Sequence, residues 1–78
     1  MDVSRSNILS ILSEQIGVEE EWLTENKALA SFGLSSLDKL DLIFSLEDRL
    51  GIDLPDDFEP RTVGELIRGC EEAVLVGK

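Results

Sequence analysis

The residues best suited to chemistry lie in one hexapeptide, Gly33-Leu34-Ser35-Ser36-Leu37-Asp38, where two adjacent hydroxyls precede an apolar-periodic run. A serine nucleophile needs a base to take its proton. The chain has no histidine. The basic residues nearest in sequence, Lys27 and Lys39, have no evident orienting partner. The G-x-S-x-G pattern of a nucleophile elbow also fails, because its fifth position is Leu37. Carboxylates on the following run sit on an exposed face without a pocket. No residue is therefore assigned a catalytic role, and any chemistry at Ser36 calls for machinery supplied by another protein. A metal site is equally unsupported. Cys70 is the single cysteine, which leaves no zinc ligand set and no internal disulfide. Asp53, Asp56 and Asp57 lack the spacing and the glycine of an EF-hand.

The two serines differ in what they can do. Ser35 is placed as an N-cap, its side-chain oxygen accepting from the amide of Leu37 or Asp38. Ser36 is then the first helical residue and has no capping duty. Its hydroxyl projects where a helix leaves amides free and carries a partial positive charge. A phosphate attached there is favoured.

The elements that must hold this pair are helical nearly throughout. Ile8, Ile11, Leu12 and Ile16 recur at three and four, predicting a first amphipathic helix from about Ser4 to Ile16, stopped by Gly17. Residues 18–35 carry no sustained period. Trp22, Leu23, Leu29 and Phe32 are expected to pin this long loop to the core, and a loop of that length in a small chain is often functional. Residues 36–50 form the clearest helix, ended by Gly51. Asp56 to Phe58 are expected to form one short helical turn before Pro60. Thr62-Val63-Gly64-Glu65 matches a capping box and opens a last helix with Val63, Ile67, Cys70 and Val74 on one face. On that face Cys70 reads as a buried core residue. No strand pair is evident. The fold class is all-α, a small bundle of three main helices with a short additional one between the second and the last.

The second helix bears two apolar stripes. At about 100° per residue, Leu42, Ile43, Leu46 and Leu50 occupy about one third of the circumference, the width of a core-facing stripe. Leu37, Leu40 and Phe44 begin about 60° beyond its edge, with Asp38, Asp41, Glu47 and Asp48 around them. This second stripe either packs beneath the long loop or forms a partner-binding surface with an apolar centre and a charged rim. Phe44 ringed by acids favours the docking face.

Size and charge narrow the function classes. The chain has 78 residues, enough for a single domain spanning 1–78, with a thin core. Its 17 acidic and 7 basic residues give a net charge of −10. Such a surface repels nucleic acid and anionic lipid and suits basic protein partners. Nothing resembles a signal peptide, and no apolar run is long enough to span a membrane. A cytoplasmic monomer is expected. An initial Met without a linker fits a free-standing protein.

Gly33, Ser35, Ser36, Leu37, Asp38, Asp41, Leu42, Leu46 and Glu47 together form a pattern that resembles the acyl carrier proteins modified by 4′-phosphopantetheine. The following Gly51-Ile52-Asp53-Leu54-Pro55-Asp56-Asp57 resembles that family's turn after the helix, and the element order fits over essentially the whole chain. The resemblance implies a four-helix carrier fold with Ser36 as the attachment site. It implies modification by a phosphopantetheinyl transferase using coenzyme A, and a thioester-bound acyl, aminoacyl or polyketide cargo. It also implies acyl-loading and acyl-transferring enzymes whose basic patches dock on Leu37, Asp38, Leu40, Asp41, Phe44, Glu47 and Asp48. Ser35 stands where fatty-acid-synthesis carriers usually have aspartate. With the bulk of Phe44, this suggests a specialised lipid or secondary-metabolite pathway. The alternative is a carrier fold kept as an unmodified docking or regulatory module.

Overall fold

The computed structural model of the protein describes residues 5–76. Three α-helices carry it: α1 (Arg5–Ile16), α2 (Ser36–Leu50) and α3 (Val63–Val76). The expected start of α1 at Ser4 lies outside the described residues. The long connection between α1 and α2 contains two 3₁₀ turns, Glu20–Trp22 and Leu29–Phe32.

The core is assembled from the apolar stripes of all three helices. Ile8, Ile11 and Leu12 come from α1, Leu42, Ile43, Leu46 and Leu50 from α2, and Val63, Leu66, Ile67 and Cys70 from α3. Helix α1 packs against both α2 and α3, while α2 and α3 make little direct contact with each other. The connections close the remaining sides with Leu23, Leu29 and Leu54. Val74 is half-buried, and Leu66, on the other side of the α3 stripe, is fully buried.

Each end of α2 is set by local chemistry. Gly33 sits at φ +77°, a left-handed conformation that glycine adopts without a Cβ clash. It reverses the chain out of the second 3₁₀ turn and delivers Ser35 in an extended conformation. At the other end the Gly51 amide donates to Glu47 O, 2.9 Å, and the next carboxylate contact fixes the exit. Glu47 Oε2 accepts from the Leu54 amide at 2.8 Å.

Two expectations are corrected. The segment from Asp56 to Phe58 is not a helix. It is a single turn in which the Phe58 amide donates to Pro55 O, 3.1 Å. Pro60 is buried immediately after it and removes an amide donor that a further turn of helix would need. Trp22 is not a core anchor but is 60% exposed. It closes a three-residue 3₁₀ turn whose inward position is taken by the next residue, Leu23, 5% exposed. The described residues contain no strand, as expected, and an isolated antiparallel bridge links Ala28 and Thr62. There the Leu29 amide donates to Arg61 O at 2.9 Å, and the Val63 amide donates to Lys27 O at 3.0 Å. This bridge ties the long connection to the start of α3.

The α3 cap also departs in detail from a capping box. Thr62 Oγ1 accepts from the Glu65 amide at 3.1 Å. The Glu65 carboxylate returns to the Arg61 amide at 2.9 Å, one residue earlier than the box requires.

Candidate functional site

The mouth of α2 separates two hydroxyls by task. Ser35 is the N-cap: its Oγ accepts from the Asp38 amide at 3.1 Å, and Asp38 Oδ2 accepts from the Ser35 amide at 3.0 Å. This reciprocal pair is a full capping box with aspartate in the usual glutamate place. The hydrogen bond from the Ser35 backbone amide, and then that with its hydroxyl, hold the Asp38 carboxyl below the ordinary aspartate range. Both groups are thus committed to the helix end.

Ser36 is free of that commitment. It is exposed and is the first residue of α2. Its hydroxyl therefore leaves the protein at the positive end of a 15-residue helix. Beside it lies a cleft of about 180 Å³ lined by Lys39, Leu40, Ile43, Phe58, Glu59 and Pro60. Lys39, half-buried and one turn along the helix, puts a cation in the same cleft. An anionic phosphodiester on the Ser36 oxygen fits this setting, with helix dipole and ammonium both of favourable sign. Among the described residues no group of three or more acidic, histidine or cysteine side chains converges as a metal site.

The second stripe of α2 is uncovered. Leu37, Leu40 and Phe44 are 69%, 47% and 59% exposed, so the long loop does not pack over them. Asp38, Asp41 and Asp48 are exposed around them. Glu47 is different: it is half-buried and its carboxylate is tied to the Leu54 amide, which leaves it less available to a partner than its place on the helix suggests. Arg49 turns to the other side, where it pairs with Glu14 of α1.

Two features of the site escape the sequence pattern. Phe58 reaches from the α2–α3 connection to the Ser36 cleft, a contact between residues far apart in the chain with no periodic signal. The opening beneath it depends on Gly69 of α3. A Cβ built there would lie 2.3 Å from Phe58 Cζ, so only glycine lets the ring come this close. A glycine inside a helix often marks such a close approach.

Cys70 is buried, and burial foremost, with Glu71 second, pushes its thiol up to about 12. It takes no part in the site. No helix among the described residues is long and apolar enough to cross a membrane.

Residues 6–70 match the family model described as "Phosphopantetheine attachment site". The matched stretch contains all of α1 and α2 except the first residue of α1, and α3 as far as Cys70.

Proposed function

Since the chain belongs to the phosphopantetheine-attachment carrier family, whose members hold 4′-phosphopantetheine covalently, we propose that it is an acyl carrier protein with Ser36 as the attachment residue. Carriers of this family are generally non-catalytic and interact with a phosphopantetheinyl transferase and acyl-handling enzymes. The observation that carries the assignment is the division of labour at α2. Ser35 satisfies the helix end, and Ser36 is left exposed, uncommitted and at the positive terminus.

When bound, the arm supplies a terminal thiol that holds cargo as a thioester. The chain's own residues prepare its attachment. The Ser36 oxygen attacks the phosphorus of coenzyme A nearest the pantetheine, the pyrophosphate bond breaks and the adenosine bisphosphate leaves. The hydroxyl proton goes to a base of the transferase. The amides of the first α2 turn and Lys39 favour the resulting phosphodiester.

The partner face is assigned to Leu37, Leu40 and Phe44 with Asp38, Asp41 and Asp48, and with Glu47 in a mainly structural part. Its exposed apolar centre is small, as suits an enzyme partner that must be released after each transfer. The charge of −10 draws basic docking patches and speeds encounter without tight binding. The pathway proposed is a specialised lipid or secondary-metabolite one, on the strength of Ser35 before the modified serine and Phe44 at the docking centre. The proposed setting is a monomer in the cytoplasm.

The test is the intact mass before and after incubation with coenzyme A, magnesium and a broad-specificity phosphopantetheinyl transferase. One phosphopantetheine is gained by the native chain and none by Ser36→Ala. A folded chain that gains nothing, with the transferase active on a control carrier, returns the protein to the role of an unmodified docking module.

A further inference from the structure

Among the described residues the large apolar side chains left exposed are Leu37, Leu40 and Phe44 on α2 and, away from that helix, Trp22 on the 3₁₀ turn Glu20–Trp22. The indole is held outward. The Trp22 amide donates to Glu19 O at 3.0 Å, and the Leu23 amide donates to Glu20 O at 2.9 Å. Leu23 fills the inward position as part of the core. Turning Trp22 inward would expel Leu23, so the turn keeps its indole in water. A tryptophan kept at the surface of a rigid turn is a common anchor for a partner.

Beside the indole is a cleft of about 460 Å³ whose apolar walls include Val18 and Phe32. Its polar side chains are Glu19, Lys27 and Ser31. Two of the three are occupied. Ser31 Oγ donates to Ala28 O at 2.6 Å. The Lys27 ammonium stands 5.9 Å from the centre of the Phe32 ring, at cation–π distance. Glu19 is exposed and takes no part in the ion pairs of the described residues, Arg5 with Glu25 and Arg49 with Glu14. Glu20 and Glu21, exposed on the same turn, add two further carboxylates. The charge open to a visitor beside the indole is therefore negative.

We infer that Trp22 and Glu19 form a socket for one arginine of the phosphopantetheinyl transferase, a second docking point apart from α2. This deepens the carrier reading of Ser36 and rests on it. Arginine suits both groups: its flat guanidinium stacks on an indole face, and its N–H fork fits one carboxylate. Lys27 sets the depth. Its charge on the Phe32 wall repels a cation that goes further in, so the guanidinium stays over Trp22. The transferase is the partner that must bring its active centre to the Ser36 oxygen itself, whereas enzymes that take cargo meet the far end of the arm. Scale allows it to reach both points. A standard interface buries about 800 Å² on each partner, a disc of about 16 Å radius. Phe32, in the cleft wall, lies four residues before Ser36 and so at most about 14 Å from it along the chain.

The chain has one tryptophan, so incorporating 5-fluorotryptophan gives a single fluorine resonance that reports the socket. The Ser36→Ala chain, which accepts no arm, is titrated with the transferase. The native chain is titrated separately with N-acetylarginine amide and N-acetyllysine amide. The transferase and the arginine amide are expected to move the resonance, and the lysine amide to move it less. Loading is then followed by intact mass. W22A is expected to raise KM about fivefold and E19Q about threefold, with kcat within about twofold of native. W22F, which keeps a smaller ring, falls between W22A and the native chain. A KM unchanged in W22A and E19Q, or a resonance that the transferase leaves in place, overturns the socket. Equal shifts with the two amides overturn the choice of arginine. A lower kcat at unchanged KM makes Trp22 a support of the loop before Ser36, which also overturns docking. Should W22A lose its helical circular dichroism, E19Q and W22F decide alone. A native chain that gains no phosphopantetheine defeats the carrier reading at the mass step, while the arginine-amide titration still reads the socket, so the two failures are told apart.

Discussion

A serine that caps a helix cannot readily also be a serine that is modified, because capping holds its oxygen against backbone amides. The adjacent pair resolves this by giving each hydroxyl one task. Ser35→Ala removes the bond from the Asp38 amide and leaves that donor to water, so it should lower stability by about 1 kcal/mol in a urea melt while Ser36 still loads. The same box predicts an acid response. The folded Asp38 carboxyl titrates below its unfolded value of 3.8. Its contribution is therefore present above about that pH and is lost as pH falls through the lower, folded value. Asp38→Asn should lower the melting temperature at neutral pH and flatten its decline below about pH 4, measured as melting temperature against pH. A decline as steep as that of the native chain would place the acid sensitivity elsewhere. Cys70 supplies a third check at this scale. With its thiol pushed up to about 12 and no exposed surface, it should resist a thiol reagent at pH 8 in the folded apo chain and react at once in denaturant.

Helix α2 shows which parts of an element can be read from the chain alone. Its bounds, its cap and both of its stripes were legible because each depends on neighbours within a turn or two: Ser35 with Asp38, Gly51 after Leu50, and leucines at helical spacing. The fate of the second stripe was less so, since exposure depends on whether a distant loop covers it. That loop turned out to be held by the Ala28–Thr62 bridge instead. The segment after α2 was misjudged for the same physical reason. Asp56 and Asp57 allow a helical turn locally, but Phe58 is drawn onto Gly69 and Pro60 is buried, and these are tertiary choices. Trp22 and Leu23 stand side by side in an aperiodic stretch, and only packing decides which one turns inward. The two faces of α2 should separate cleanly by mutation. Leu46→Ala, at a fully buried site, is expected to cost about 2–5 kcal/mol in a denaturant melt. Phe44→Ala, at a site 59% exposed, should stay within about 0.5 kcal/mol of the native chain. Its effect should fall on the transferase reaction, as a higher KM with little change in kcat.

The molecule as a whole carries −10 on a body with extents of 33 × 24 × 19 Å. At about 0.01 M salt the Debye length is about 30 Å, so nearly every acidic pair on this surface repels; at about 1 M it is about 3 Å and only immediate neighbours interact. Two quantities then respond with opposite signs. Self-repulsion in the folded state is screened, so the melting temperature rises with sodium chloride. Steering of a basic partner is screened as well, so kcat/KM for loading by the transferase falls, by about tenfold or more over the same range. The docking face makes this divergence specific. Neutralising Asp41 and Asp48 together as asparagines should flatten the salt dependence of loading, because these exposed acids rim the apolar stripe. Phe44→Ala should lower loading at every salt concentration and leave the slope unchanged, since the ring contributes contact area and no charge. If loading is indifferent to salt while the melting temperature still climbs, the acidity of the chain serves solubility, and the stripe of Leu37, Leu40 and Phe44 alone selects the partner.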